Sequence, residues 1–140
     1  MTIALDTRSA TRERPSEDAG QHWIAVCPLD ALHPERGVAA ILDGTQIALF
    51  RLRDERVFAV QQADPYSGSQ VMSRGLVGSR SGRVTVASPM FKQIFDLATG
   101  ECLDTVGKDA RTLTTYPVRI DDDGTVLVDL SLRLEGRQTR

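Results

Sequence analysis

Turn signals interrupt this chain so often that no helix of ordinary length fits between them. Asp43-Gly44 separates two apolar runs, Arg53-Asp54-Glu55-Arg56 separates the next pair, and Leu97-Ala98-Thr99-Gly100 and Asp121-Asp122-Asp123-Gly124 punctuate the rest. Asp-Gly tolerates the positive φ values of a two-residue hairpin. The intervening runs are short and rich in β-branched or bulky apolar residues. They cover Trp23 to Cys27 (stopped by Pro28), Val38 to Leu42, Thr45 to Leu52 and Val57 to Gln61. Val84 to Ala87, Gln93 to Asp96, Thr114 to Ile120 and Thr125 to Leu130 follow, the last two as a closing hairpin. Short strands at regular spacing predict an all-β antiparallel sandwich or barrel. Leu29 to Gly37 and Gly107 to Arg111 read as connections. Gln62 to Arg83 is the longest irregular stretch, and such loops carry function more often than shorter ones do.

The chain has 140 residues, enough for one domain with a real core. Residues 1–20 mix Arg, Glu, Asp, Ser and Thr without an apolar centre, so they are expected to form a flexible tail rather than a signal peptide. The domain proper is expected over 21–132, with a second tail over 133–140. A net charge of −2 creates no strong field toward nucleic acid or anionic membrane, and no apolar run is long enough to span a bilayer. The expected location is the cytoplasm. There, Cys27 and Cys102, lacking C-x-x-C spacing, read as separate buried or partly buried thiols. With His22 and His33 they make no convincing zinc set, so no metal ligand is assigned.

Two segments carry more specific information. Asp64-Pro65-Tyr66-Ser67-Gly68 forms one. Ser88-Pro89-Met90-Phe91, followed by Phe95-Asp96-Leu97-Ala98-Thr99-Gly100, forms the other. Together they resemble the two cluster-binding loops of a Rieske domain, Cys-Pro-His-x-Gly and Cys-Pro-x-His with a downstream Phe-Asp-x-x-Thr-Gly. A Rieske [2Fe–2S] centre takes two thiolates on one iron and two imidazoles on the other. Here Asp64, Tyr66, Ser88 and Phe91 occupy those four positions. Phe91 has no donor atom and a serine hydroxyl is a poor replacement for thiolate, so no cluster is expected. The surviving residues keep local roles: Pro89 stiffens its loop, Phe95 fills the core, Asp96 accepts from the turn after it, and Gly100 allows a positive φ.

The resemblance extends from Trp23 to Leu130 and narrows further. Val-Cys-Pro-Leu-Asp-Ala-Leu, Gln-Gln-Ala-Asp-Pro-Tyr-Ser-Gly, Met-Ser-Arg-Gly-Leu-Val-Gly and Ala-Ser-Pro-Met-Phe-Lys-Gln are similar to the small subunit of bacterial assimilatory NAD(P)H-dependent nitrite reductase. That family has a Rieske-like fold without the cluster ligands. The resemblance implies an accessory role in nitrate assimilation, with no cofactor on this chain. It also implies a large-subunit partner carrying FAD, [4Fe–4S] and sirohaem, which reduces nitrite to ammonium. A cluster-free adaptor or binding module of another oxidoreductase is the alternative, and a ferredoxin-like electron carrier is a third.

Independent catalysis is not expected. Asp64 with Tyr66 as an acid/base pair, or Ser88 as nucleophile, lacks a nearby histidine in the motif. The substituted loops instead suggest docking through Tyr66, Met90 and Phe91 together with Arg74 and Lys92, and Arg80 as a further charged contact. The competing expectation is that Tyr66 and Phe91 fill the space a cluster would take.

Overall fold

A computed structural model describes residues 2–4, 13–14 and 22–131. The strands are β1 (Thr2–Ala4), β2 (Glu13–Arg14), β3 (Trp23–Pro28), β4 (Gly37–Leu42), β5 (Thr45–Arg51), β6 (Val57–Gln61) and β7 (Leu76–Arg80). There follow β8 (Arg83–Ala87), β9 (Ile94–Asp96), β10 (Cys102–Asp104), β11 (Thr115–Tyr116), β12 (Val118–Ile120) and β13 (Thr125–Asp129). They form three sheets, ordered β1-β4-β5-β6-β11, β10-β9-β8-β7 and β12-β13-β3-β2. All pairings are antiparallel except β1 with β4. The expected all-β architecture is what the chain adopts. Beyond the two short strands β1 and β2, the tails expected over 1–20 and 133–140 lie outside the described residues.

The first sheet is buried on both faces, which explains the unbroken apolar run in β5. Side chains alternate across a strand. Ile47 and Leu49 therefore enter a core shared with Ile24, Val26, Val126 and Val128 of the β3/β13 sheet. Ala48 and Phe50 enter a second core with Val86 and Phe95 of the β8/β9 sheet. The small sheet, whose β8–β9 connection is the Ser88–Phe91 segment, is thus anchored to the large one by Phe50, Val60, Met72, Phe95, Leu97 and Leu113.

The structure corrects two sequence expectations and adds one strand that was not expected. Gln62 to Arg83 is not irregular throughout: Met72–Arg74 forms a 3₁₀ turn, and β7 pairs with β8 from Leu76↔Ala87 to Arg80↔Arg83. Its turn, Ser81-Gly82, has φ 53° and 81°, the same geometry that Asp43-Gly44 supplies at 50° and 80°. Serine is a weaker signal for that turn than aspartate. Thr114 to Ile120 is not one strand, because Pro117 divides it. Before Pro117, β11 pairs with β6; after it, β12 pairs with β13 in another sheet. Finally, Cys102–Asp104 forms a short edge strand against β9 that the polar surroundings conceal.

Candidate functional site: the two substituted loops

Both loops are closed by one hydrogen-bond pattern. In the first, the Asp64 N–H donates to the Ser69 carbonyl at 2.7 Å, and the Gly68 N–H donates back to the Asp64 carbonyl at 2.8 Å. In the second, Ser88 N–H donates to the Gln93 carbonyl at 2.9 Å and Lys92 N–H to the Ser88 carbonyl at 3.1 Å. The residue four positions on is left-handed in each case, Gly68 at φ 81° and Lys92 at 69°. The first residue's side chain then caps the loop from inside. Asp64 Oδ1 accepts from Tyr66 N–H at 2.7 Å and Ser67 N–H at 3.3 Å, and Ser88 Oγ accepts from Met90 N–H at 3.1 Å. Asp96 repeats the arrangement, accepting from Ala98 and Thr99 N–H at 2.7 and 3.0 Å, with Gly100 at φ 82°.

The two loops are then tied to each other. The Ser88 hydroxyl donates to Asp64 Oδ2, and both residues are 1% exposed. In Rieske domains these two positions hold the thiolates of one iron. Here one buried hydrogen bond spans the same gap and leaves each group fully engaged. Hydrogen bonds to carboxylates are among the stronger kinds. A buried polar pair of this sort is favourable only because both members are satisfied.

The two histidine positions behave differently from each other. Tyr66 points inward, its ring 6.3 Å from Phe95, and its hydroxyl leaves the loop altogether. It donates to the Asp109 carbonyl at 2.6 Å and accepts from the Arg111 N–H at 3.0 Å, with Cys102 Sγ 3.7 Å away. Partial burial, reinforced by Cys102 and opposed by Arg111, raises the phenol above its ordinary range. Phe91 instead stays 47% exposed beside Met90 at 41%, with Lys108 Nζ 6.0 Å over its ring. Tyr66 therefore packs while Phe91 does not, so the two residues that were expected to act alike divide between the competing readings. Arg74 and Lys92 are exposed at the same end of the small sheet.

These residues do not fit a [2Fe–2S] cluster. Asp64 and Ser88 are consumed by one another, the Tyr66 hydroxyl is spent on a third loop, and Phe91 offers no donor. Among the described residues, no three His, Cys, Asp or Glu converge as a metal set. Cys27 is buried and Cys102 half-buried, and neither is in a disulfide. The Ser88 hydroxyl is sealed from solvent and faces a carboxylate, which is not the environment of a nucleophile.

Sequence reasoning missed two polar residues that hold this end together. Gln62, 4% exposed, accepts from Ser73 N–H at 2.8 Å and donates to Ser73 Oγ at 3.0 Å, fixing the 3₁₀ turn to the root of the first loop. Gln93, fully buried, donates to the Thr105 carbonyl at 3.4 Å and so draws in the connection after β10. Glutamine beside a glycine-rich loop is no distinctive signal, and only the fold identifies them.

Comparison with known proteins identifies the family of this fold. Residues 22–129 match the family model of the Rieske-like [2Fe-2S] domain. The nitrite reductase (NADH) small subunit of Escherichia coli K12 is 38% identical over 101 residues, covering 71% of this chain and 91% of that protein. A Mycobacterium tuberculosis crystal structure described as an NADH-dependent nitrite reductase small subunit superposes with TM-score 0.72 at 48% identity, covering 78% and 95% of the two chains. The nitrite reductase [NAD(P)H] large subunit of Klebsiella oxytoca is 39% identical over 100 residues, which are 71% of this chain and 10% of that protein. No helix among the described residues is long and apolar enough to cross a membrane.

Proposed function

This chain belongs to the Rieske-like domain family, in its nitrite reductase small-subunit branch, and from that premise we propose that it acts as a non-catalytic accessory subunit. Its partner in this reading is a larger chain that reduces nitrite to ammonium with NAD(P)H in nitrogen assimilation in the cytoplasm. FAD, [4Fe–4S] and sirohaem belong to that partner, and this chain holds no cofactor and no catalytic residue. One observation carries the reading. The K. oxytoca large subunit contains a domain 39% identical to this chain as one-tenth of its own length. A domain built into a large subunit in one protein and separate in another has its natural partner in the rest of that subunit.

The loop chemistry supports the same role. A scaffold whose ligand positions are rebuilt with Asp64, Ser88 and Tyr66 as structural ties is suited to holding a shape rather than carrying electrons. The test is nitrite-dependent NAD(P)H oxidation by the cognate large subunit, with and without this chain. Enhancement or dependence is expected, and indifference refutes the reading. Iron analysis and a visible spectrum of this chain alone test the cofactor statement, since stoichiometric iron would overturn it.

A further inference from the structure

On that accessory-subunit reading, we infer that the loop end of the small sheet is the docking face, and that it takes an acidic, apolar-centred surface of the large subunit. Six large apolar side chains are exposed among the described residues. Four of them share this end. Met90 and Phe91 cap the second loop. Leu76, 77% exposed, begins β7 opposite Ala87, the residue from which the chain enters that loop. Val106 lies on the connection after β10, which Gln93 and Tyr66 hold against the same loops. Isolated exposed apolar residues need no explanation, but a cluster rimmed by charge marks a contact surface.

The rim is basic although the chain as a whole is not. Lys92, Lys108, Arg111 and Arg74 are exposed here, on a chain of net charge −2. Among the described residues none of these four pairs with a carboxylate, and Asp104 is taken by Arg80 at 3.8 Å. Asp109 is the one exposed acid left on that connection. Lys108 lies over the Phe91 ring and Arg111 over the Tyr66 ring, 5.7 Å from its centroid. Cations held at an apolar rim attract opposite charge and repel their like. A second copy would place the same cations against themselves, so self-pairing through this face is disfavoured, whereas an acidic partner is matched.

Tyr66 is the positioning residue of this face. Its hydroxyl holds the Asp109 carbonyl and the Arg111 N–H, and so sets where Lys108 and Arg111 stand. The position that holds an iron-ligating imidazole in Rieske domains here supplies the clamp for a third loop.

The experiment measures binding of the full chain to the cognate large subunit by calorimetry at 50 and 300 mM NaCl. Wild-type affinity is expected to fall about tenfold over that range, because rim charges are screened. Lys92→Glu/Lys108→Glu/Arg111→Glu should weaken binding about a hundredfold at low salt, and Phe91→Ser should weaken it at both salts. Arg53→Glu, at the far turn between β5 and β6, should bind as wild type. Tyr66→Phe should weaken binding several-fold and speed amide exchange at Arg111, with rescue at neither salt. Unfolding temperatures confirm that each variant is folded. Unchanged binding by the triple variant overturns the docking face and leaves the accessory role standing. Failure of the wild-type chain to bind refutes the accessory role itself. Dimerisation of the chain alone, or binding to phosphatidylglycerol vesicles, abolished by the triple variant would assign the face to another occupant and overturn the inference.

Discussion

Ser88→Ala removes a single oxygen yet is expected to be among the costliest small substitutions in the domain. The lost hydrogen bond runs from a buried hydroxyl to a buried carboxylate, a class worth about 1.5–3 kcal/mol. Asp64 Oδ2 is then left without a partner in a site closed to water. Met90 N–H also loses its acceptor, but Met90 is exposed and water can replace it. The net expectation is about 2–3 kcal/mol, a substantial part of the roughly 5–15 kcal/mol that stabilises a domain. For a domain of this size that lowers the unfolding temperature by about 8–12 °C. Urea unfolding with calorimetric confirmation measures it. A double-mutant cycle with Asp64→Ala isolates the pair and should show coupling of about 2 kcal/mol, because each single change already removes the whole bond and leaves the other member unpaired. A loss below about 0.5 kcal/mol in Ser88→Ala, or additivity in the cycle, would show that the loops hold together without this bond.

Other expectations follow from the same geometry. Gly100→Ala drives a Cβ into the Leu113 carbonyl oxygen at φ 82° and should prevent normal folding, whereas Gly44→Ala, at φ 80° with open space around it, should cost about 1–2 kcal/mol in a urea titration. Phe95→Ala empties a fully buried position and should cost about 3–5 kcal/mol, while Phe91→Ser, half-exposed, should stay within about 1 kcal/mol by the same assay. Burial pushes the Cys27 thiol from 9.0 up to about 11. Its neutral form is favoured by folding, so its contribution is complete below about pH 9 and is lost as pH rises through 11. Cys27 should resist a disulfide reagent at pH 8 until urea exposes it, with Cys102 labelled first; rapid native labelling of Cys27 would contradict the packing. The raised Tyr66 phenol predicts the same sign, with its contribution present below about pH 10 and lost above it. Alkali should loosen the third loop in the wild type, seen as a fall in the protection factor at Arg111 once the intrinsic base catalysis of exchange is divided out, and Tyr66→Phe should abolish that fall.

Much of the fold was legible because its signals are local. Asp43-Gly44, Pro28 and the Phe95–Gly100 turn each dictate φ angles within a few residues, and the strands between them were placed with small errors at their ends. The β7–β8 hairpin escaped because Ser81-Gly82 is a weak turn signal and Leu76 to Arg80 is mostly exposed, without an apolar face to announce a strand. The break at Pro117 escaped for a different reason. Its consequence, a strand that changes sheets, depends on what β6 and β13 offer on either side.

The same division holds for the site. The sequence alone determined that Phe91 can hold no metal and that the Pro, Gly and Phe-Asp…Thr-Gly framework persists, since those statements concern atoms and dihedral angles within single residues. Only the tertiary structure decided that Ser88 bonds Asp64 across 24 positions, that Tyr66 turns inward to grip Asp109 and Arg111, and that Phe91 stays out in solvent. Each of those outcomes depends on which loops the two cores bring to one end of the small sheet. A hydroxyl or a ring takes its partner from the neighbours that packing places beside it, and those neighbours are distant in the chain.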